Sequence, residues 1–201
     1  YFLLIADFGV SLTGTRQVAS QEHDVRKSVG ELLGVRFILG ALATAAFLSV
    51  LAIIDRPLQD KLLIALFGLL IPSVTFSLDW VYRGLEKMEW IAVSNLIRTA
   101  IPLVLVLLFV ASDSQLLLIP TFFVLGAVGQ MVFYWYRFTR TIGWPAIHFD
   151  RSRIKHLLRH ISTLGAATIM IQIYYNIDTL LLGVYRTDTE VGLYGAAYRV
   201  V

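Results

Sequence analysis

The segment YYNIDTLLLGVY, residues 174–185, places a carboxylate, Asp178, inside an apolar run that reaches back to Leu164. An ionised residue at the centre of a membrane-spanning helix costs about 2.5–3.5 kcal/mol on insertion scales, so it calls for a partner, a watery cavity or a proton. At about 100° per residue, Gln172, Tyr175, Asn176 and Thr179 share a face with Thr168, and Asp178 stands at the border of that stripe; Ile169, Met170, Ile173, Ile177, Leu180 and Leu181 fill the opposite half. The stripe is expected to face protein or water. Asp178 reads either as a structural carboxylate bonded to a neighbouring helix or as a cavity residue on a transport route.

A second polar set, Ser94, Asn95, Arg98 and Thr99, gathers on one side of the apolar stretch from about 91 to 111, and Pro102 follows one turn later. Arg98 reads either as a snorkelling side chain or as a planar fork that holds a phosphate inside a cavity. Arg36 stands near the start of its span, where snorkelling is the expectation. Asp7, in ADFGV, and Asp79, in SLDWVYRG, lie near the cytoplasmic ends of their spans with loop arginines as ready partners.

Several chemistries lack their residues. All four histidines, His23, His148, His156 and His160, fall in polar breaks. His156 and His160 have the i, i+4 spacing of metal ligands, but HLLRH lacks the glutamate of H-E-x-x-H and its neighbours are arginines, so no metal site is expected. There is no cysteine and no G-x-x-x-x-G-K-[ST] loop, and no base or nucleophile sits at mid-span on a histidine. The expectation is a protein that is not an enzyme and carries no cofactor.

The elements that must position these residues follow from composition. The chain is 57% hydrophobic and 15% charged, with a mean hydropathy of +0.72, outside the range of soluble domains of 201 residues. A hydrocarbon core of about 30 Å needs about 20 apolar residues per helix. The expected spans are 32–54, 62–82, 91–111, 115–136 and 160–184, with partial ones at 1–12 and from Val191 on. The tyrosine at position 1 and the ending GAAYRVV, both within apolar runs, suggest a piece of a longer protein. The first, third and fifth breaks (12–31, 83–90 and 137–159) hold eleven lysines and arginines against three in the others, which orients those breaks to the cytoplasm. The basic excess is then a topology signal with an anionic-lipid contact, and no nucleic-acid partner is expected. Trp80, Tyr82, Trp90 and the FYWYRF cluster at 133–138 read as interfacial belts.

The fifth break has Gly143, Pro145 and a basic stretch, 151–160, expected to lie on the membrane surface as a short helix. It divides the chain into residues 1–138, part of a first helical lobe of about five spans, a cytoplasmic basic linker at 139–159, and residues 160–201, the start of a second lobe. The fold class is an all-α integral membrane bundle.

YFLLIADFGVSLTGTRQVA, DWVYRGLEKMEWIAVSNLIRTAI and IDTLLLGVYRTDTEVGLYGAAYRVV resemble, in order and spacing, the polysaccharide-exporter and Wzx-type O-antigen flippase branch of the multidrug/oligosaccharidyl-lipid/polysaccharide (MOP) superfamily. The resemblance covers nearly the whole chain. It implies a MATE-like fold of two lobes in a bacterial or archaeal cytoplasmic membrane, with membrane lipids around it and polysaccharide polymerase or assembly proteins as partners. The implied activity is flipping of an undecaprenyl-diphosphate-linked oligosaccharide by alternating access, driven by an H+ or Na+ gradient. On that model Asp178, with Gln172, Tyr175 and Asn176, lines the central cavity; Arg98, with Asn95, faces the diphosphate or an acidic sugar; and Asp7, Arg36 and Asp79 sit near the cytoplasmic mouth. Asp178 would be the protonatable group. The alternatives are a multidrug or cation antiporter or a lipid II flippase of the same superfamily and, further off, a membrane glycan polymerase or acyltransferase, which the short outer breaks do not support.

Overall fold

The computed structural model describes residues 2–20, 24–111, 115–146, 151–186 and 188–198, with only the backbone described at some positions, among them His156, His160 and Asn176. His23 and His148 lie outside the described residues. The elements are α1 (Phe2–Asp7), α2 (Val10–Ala19), α3 (Val25–Ile53), α4 (Leu58–Gly68), α5 (Leu70–Thr75), α6 (Asp79–Gly84), α7 (Met88–Phe109), α8 (Leu118–Thr141), α9 (Arg151–Tyr185) and α10 (Asp188–Tyr198). No strand occurs among the described residues.

Among the described residues, four segments are long and apolar enough to cross a bilayer: Val25–Ile53, Leu58–Gly84, Met88–Phe109 and Leu118–Thr141. At 1.5 Å per residue the shortest, of 22 residues, spans about 33 Å. The chain is thus a multi-pass membrane protein built as an all-α bundle. Large side chains such as Leu42, Leu48, Ile53, Leu96, Leu107 and Leu108 stand exposed on its outer faces, where lipid tails supply the apolar surroundings.

Local sequence explains where the helices start and bend. Asp24 caps α3 by accepting from the Arg26 backbone N–H at 3.0 Å, so this helix begins at Val25, well before the expected start at 32. Phe8 (φ 34) and Gly9 (φ 78) are left-handed and break the first apolar run into α1 and α2. The 62–82 span is three helices in series. Pro72 brings no N–H for the carbonyl of Gly68, and α4 gives way to α5 at Leu69, whose N–H turns to Leu66 O at 3.1 Å. A second interruption covers residues 76–78. Pro120 falls in the first turn of α8, where no backbone donor is needed, and α7 runs through Pro102.

The core lies at one end of the bundle. Val10 and Val18 of α2, Leu32 and Val35 of α3, Trp80 and Val81 of α6, Tyr134 and Phe138 of α8, and Ile161 of α9 pack there in one cluster. Two glycines make room: a Cβ on Gly14 would collide with the Trp80 ring, and one on Gly84 would lie 2.6 Å from Val18 Cβ. The three basic breaks meet at this end. Arg26 Nε donates to Trp144 O at 2.9 Å, Ala146 N–H donates to Arg26 O at 3.1 Å, and the Arg137 guanidinium lies 3.7 Å over the Trp90 ring.

One expectation is corrected. The basic stretch 151–160 is no separate surface helix; it forms the first turns of α9, a single 35-residue helix that carries the expected 160–184 span.

Candidate functional site

Three cations and two carboxylates converge where α1, α2 and α3 face α5 to α8. They line a chamber of about 210 Å³ whose wall includes Asp7, Ser11, Arg36, Ser73, Ser77, Asp79, Arg83, Asn95, Arg98, Gln130 and Tyr134. Each is brought there by a break or a helix face already described.

Arg36 is the hub. It is the twelfth residue of α3, only 1% exposed, and does not snorkel, contrary to the expectation. Its depth follows from the early start of α3 at Asp24, which leaves the side chain too far from the helix end to reach water. Its guanidinium forms an ion pair with Asp7 and donates to Ser11 Oγ at 2.6 Å, Ser77 O at 2.6 Å and Val74 O at 3.3 Å. Ser11 Oγ in turn donates to Asp7 Oδ1 at 2.6 Å. One side chain thus ties the α1–α2 break to the α5–α6 break, and the unwound backbone after α5 supplies a carbonyl that a continuous helix would have used internally.

Asp79 opens α6, where its charge suits the helix N-terminus, and it pairs with Arg83 one turn on at 3.0 Å while accepting from Ser77 Oγ at 3.1 Å. On the facing wall, Gln130 of α8 donates to Ser94 Oγ at 3.2 Å and Asn95 Oδ1 at 3.0 Å, and Ser94 Oγ is hydrogen-bonded to Tyr134 Oη at 2.5 Å. Tyr82 stacks on Tyr134 at 5.1 Å between centroids and donates to its carbonyl at 3.1 Å. Asn95 and Arg98 are three residues apart on one face of α7 and both reach the chamber.

Arg98 differs from the other two arginines. Its guanidinium makes no hydrogen bond and no ion pair among the described residues, whereas Arg36 is paired with Asp7 and Arg83 with Asp79. It also borders an adjoining groove of about 750 Å³, lined by Leu70, Asn95, Arg98, Thr99, Pro102, Leu103, Val106, Ile119 and Phe123. Apart from Asn95, Arg98 and Thr99 that lining is apolar. Leu70, Asn95 and Arg98 are common to both spaces, so the polar chamber and the apolar groove meet at an uncompensated cation.

The backbone under Arg98 is specialised as well. Pro102 offers no N–H to the Arg98 carbonyl, and α8 comes close at that point: a Cβ on Gly126 would lie 2.6 Å from Arg98 O and 2.8 Å from Pro102 Cδ.

Of the residues singled out in the sequence, Asp7, Arg36, Asp79, Asn95 and Arg98 come together in the chamber. The α9 set does not join them. Asp178 is exposed and accepts from Tyr194 Oη of α10 at 3.3 Å, Tyr175 is exposed, and Gln172 is half-buried; none of the three lines the chamber or the groove. The Asn176 side chain lies outside the described residues. Ser11, Ser77, Arg83, Gln130 and Tyr134 were not singled out as site residues. Gln130, a lone amide within the apolar run GAVGQMVF, carries the same kind of signal as Asp178 and was open to the same reasoning. Among the described residues, no group of three His, Cys, Asp or Glu stands close enough to hold a metal ion.

No curated protein and no solved structure matches the chain. The family model of polysaccharide biosynthesis proteins matches residues 1–201, and this multi-pass membrane chain, with its charged chamber opening on an apolar groove, belongs to that family.

Proposed function

We propose that the protein moves a lipid-linked oligosaccharide, carried on a polyprenyl diphosphate, across the membrane by alternating access. One observation carries this reading: a polar chamber and an apolar groove meet at Arg98, a cation without a hydrogen-bond or ion-pair partner among the described residues. An amphiphile with a phosphate between its sugar head and hydrocarbon tail has the same three-part order. The sugar would occupy the side with Asn95, Gln130 and Tyr134, whose hydroxyl and amide groups suit hydroxyl-rich cargo, and the tail would follow Leu103, Val106 and Phe123. Arg98 would hold the anionic junction through its planar fork. Membership of the polysaccharide biosynthesis family supports a glycan as the head.

An antiporter for cationic drugs fits less well. A cationic cargo requires an available carboxylate, and both carboxylates of the chamber are engaged, Asp7 with Arg36 and Asp79 with Arg83. The protein is read as a transporter and not an enzyme, working in the cytoplasmic membrane of a bacterium or archaeon with its basic breaks inside and drawing on an H+ or Na+ gradient, with Asp178 as the candidate for the coupling group. The polymerase that joins exported repeat units is the natural partner.

The experiment is complementation of a flippase-null bacterium with the complete gene. Wild type is expected to restore surface glycan, and Arg98→Ala, at equal expression, to lose it while lipid-linked repeat units accumulate inside. Restoration by Arg98→Ala at the wild-type level would refute the reading.

A further inference from the structure

We propose that Asp7 is a stand-in for the cargo's phosphate: Arg36 holds the Asp7 carboxylate when the chamber is empty and exchanges it for a phosphate oxygen when cargo arrives. This rests on the transport reading above and deepens it by adding a second anion-binding group and a route from occupancy to helix movement.

Three observations carry it. First, Arg36 and Asp7 both line the chamber, and their accessibility is unequal: Arg36 is 1% exposed and Asp7 27%. A cation that deep is costly without an anion beside it, so it keeps one at all times, whereas the half-open carboxylate can turn to water. Second, the anchors of Arg36 that would remain after Asp7 leaves are neutral acceptors, Ser11 Oγ and the carbonyls of Val74 and Ser77. They orient the guanidinium without neutralising it, which leaves a place for a charged oxygen. Its Nε is buried and has no hydrogen-bond partner among the described residues, so the donor set of Arg36 is not filled even with Asp7 in place.

Third, Asp7 ends α1 directly before the left-handed pair Phe8–Gly9, and that break rests on α9 backbone against backbone at Gly9 and Gly165, with the Phe8 ring beside Gly165. A Cβ on Gly9 would lie 2.8 Å from Gly165 N, and one on Gly165 would lie 2.6 Å from Phe8 O. Release of Asp7 would therefore free α1 at the joint that touches the helix leading out of the 1–138 bundle. Arrival of the anion and loosening of this joint become one event, because the same guanidinium serves the phosphate and Asp7 in turn.

The test uses the protein expressed from its complete gene, purified in detergent, with farnesyl diphosphate and inorganic pyrophosphate as probes. Asp7→Asn keeps the shape and removes the competing charge, so it should bind farnesyl diphosphate on the order of tenfold tighter than wild type, while Asp7→Glu should bind as wild type does. A gain for pyrophosphate as well supports exchange at the phosphate itself. Wild type that binds the probe, with Asp7→Asn no tighter, would overturn the exchange and leave the transport reading standing; wild type that binds neither probe would overturn both. Should Asp7→Asn fail to fold, hydrogen exchange in the wild type decides: farnesyl diphosphate should raise exchange across residues 2–13, and unchanged or lowered exchange there would overturn the proposal.

Discussion

Replacing Arg36 by methionine should loosen two parts of the chain that are far apart in sequence. Methionine keeps much of the stem and removes the guanidinium, so the change isolates the polar contacts. The carbonyls of Val74 and Ser77 lose a donor, at about 1 kcal/mol each. Asp7 loses its partner; because it is 27% exposed to the chamber, water recovers part of its solvation and the loss is about 1–2 kcal/mol. The total, about 3–4 kcal/mol, falls in the lower half of the roughly 3–5 kcal/mol typical of breaking a buried pair. For a chain of this size it corresponds to a melting temperature lower by about 6–16 °C. The assay is thermal unfolding of the purified protein together with peptide-resolved hydrogen exchange, which should rise both in α1–α2 and in residues 70–78. The same substitution made in an Asp7→Asn background should cost less, since the orphaned carboxylate is already gone. A melting temperature within 2 °C of wild type, about the shift that under 1 kcal/mol would give, or a rise confined to α1–α2 alone, would refute the assignment of Arg36 as the tie between the two breaks.

Gly126→Val should separate α8 from α7 at the Arg98 carbonyl, where even a methyl group is placed 2.6 Å from the oxygen; overpacking of about 1–3 kcal/mol and reduced export at unchanged charge are expected, measured by thermal unfolding and surface glycan. Asp178→Asn should keep the fold, since Asp178 is exposed and an amide oxygen can still accept from Tyr194 Oη, and should lose the dependence of export on the ion gradient; full export with full gradient dependence would remove Asp178 from the coupling step.

The membrane class and most of the helices were legible because both depend on local composition: a run of about 20 apolar residues forms a helix in lipid whatever its neighbours are. The gathering of the basic breaks at one end, sealed by Arg26 with Trp144 and Ala146, was legible from charge alternation for the same reason. Arg36 was not. Its depth depends on where α3 starts, and the Asp24 cap lies eight residues before the apolar run that marks the span. Its partners, 29 residues away at Asp7 and 41 at Ser77, meet it only because two helices are interrupted, and helical periodicity reports nothing about such pairings. Pro72 signalled an interruption in the second span but not the carbonyls it would release. On α7, where one uninterrupted helix carries both, Asn95 and Arg98 were assigned to one face from spacing, and both line the chamber. The polar stripe of α9 was read by the same geometry, yet Asp178 meets Tyr194 of α10 and stands outside the chamber, so periodicity could name the face and not what covers it.

The most direct measurement is translocation of a labelled polyprenyl-diphosphate oligosaccharide across proteoliposomes that contain the purified protein, wild type against Arg98→Ala and Arg98→Lys. A charge-assisted contact to phosphate is worth about 1.5–3 kcal/mol, so Arg98→Ala should slow transfer at least tenfold, with Arg98→Lys in between. Transfer by Arg98→Ala at the wild-type rate, or no transfer by the wild type under an imposed H+ or Na+ gradient, would contradict the account.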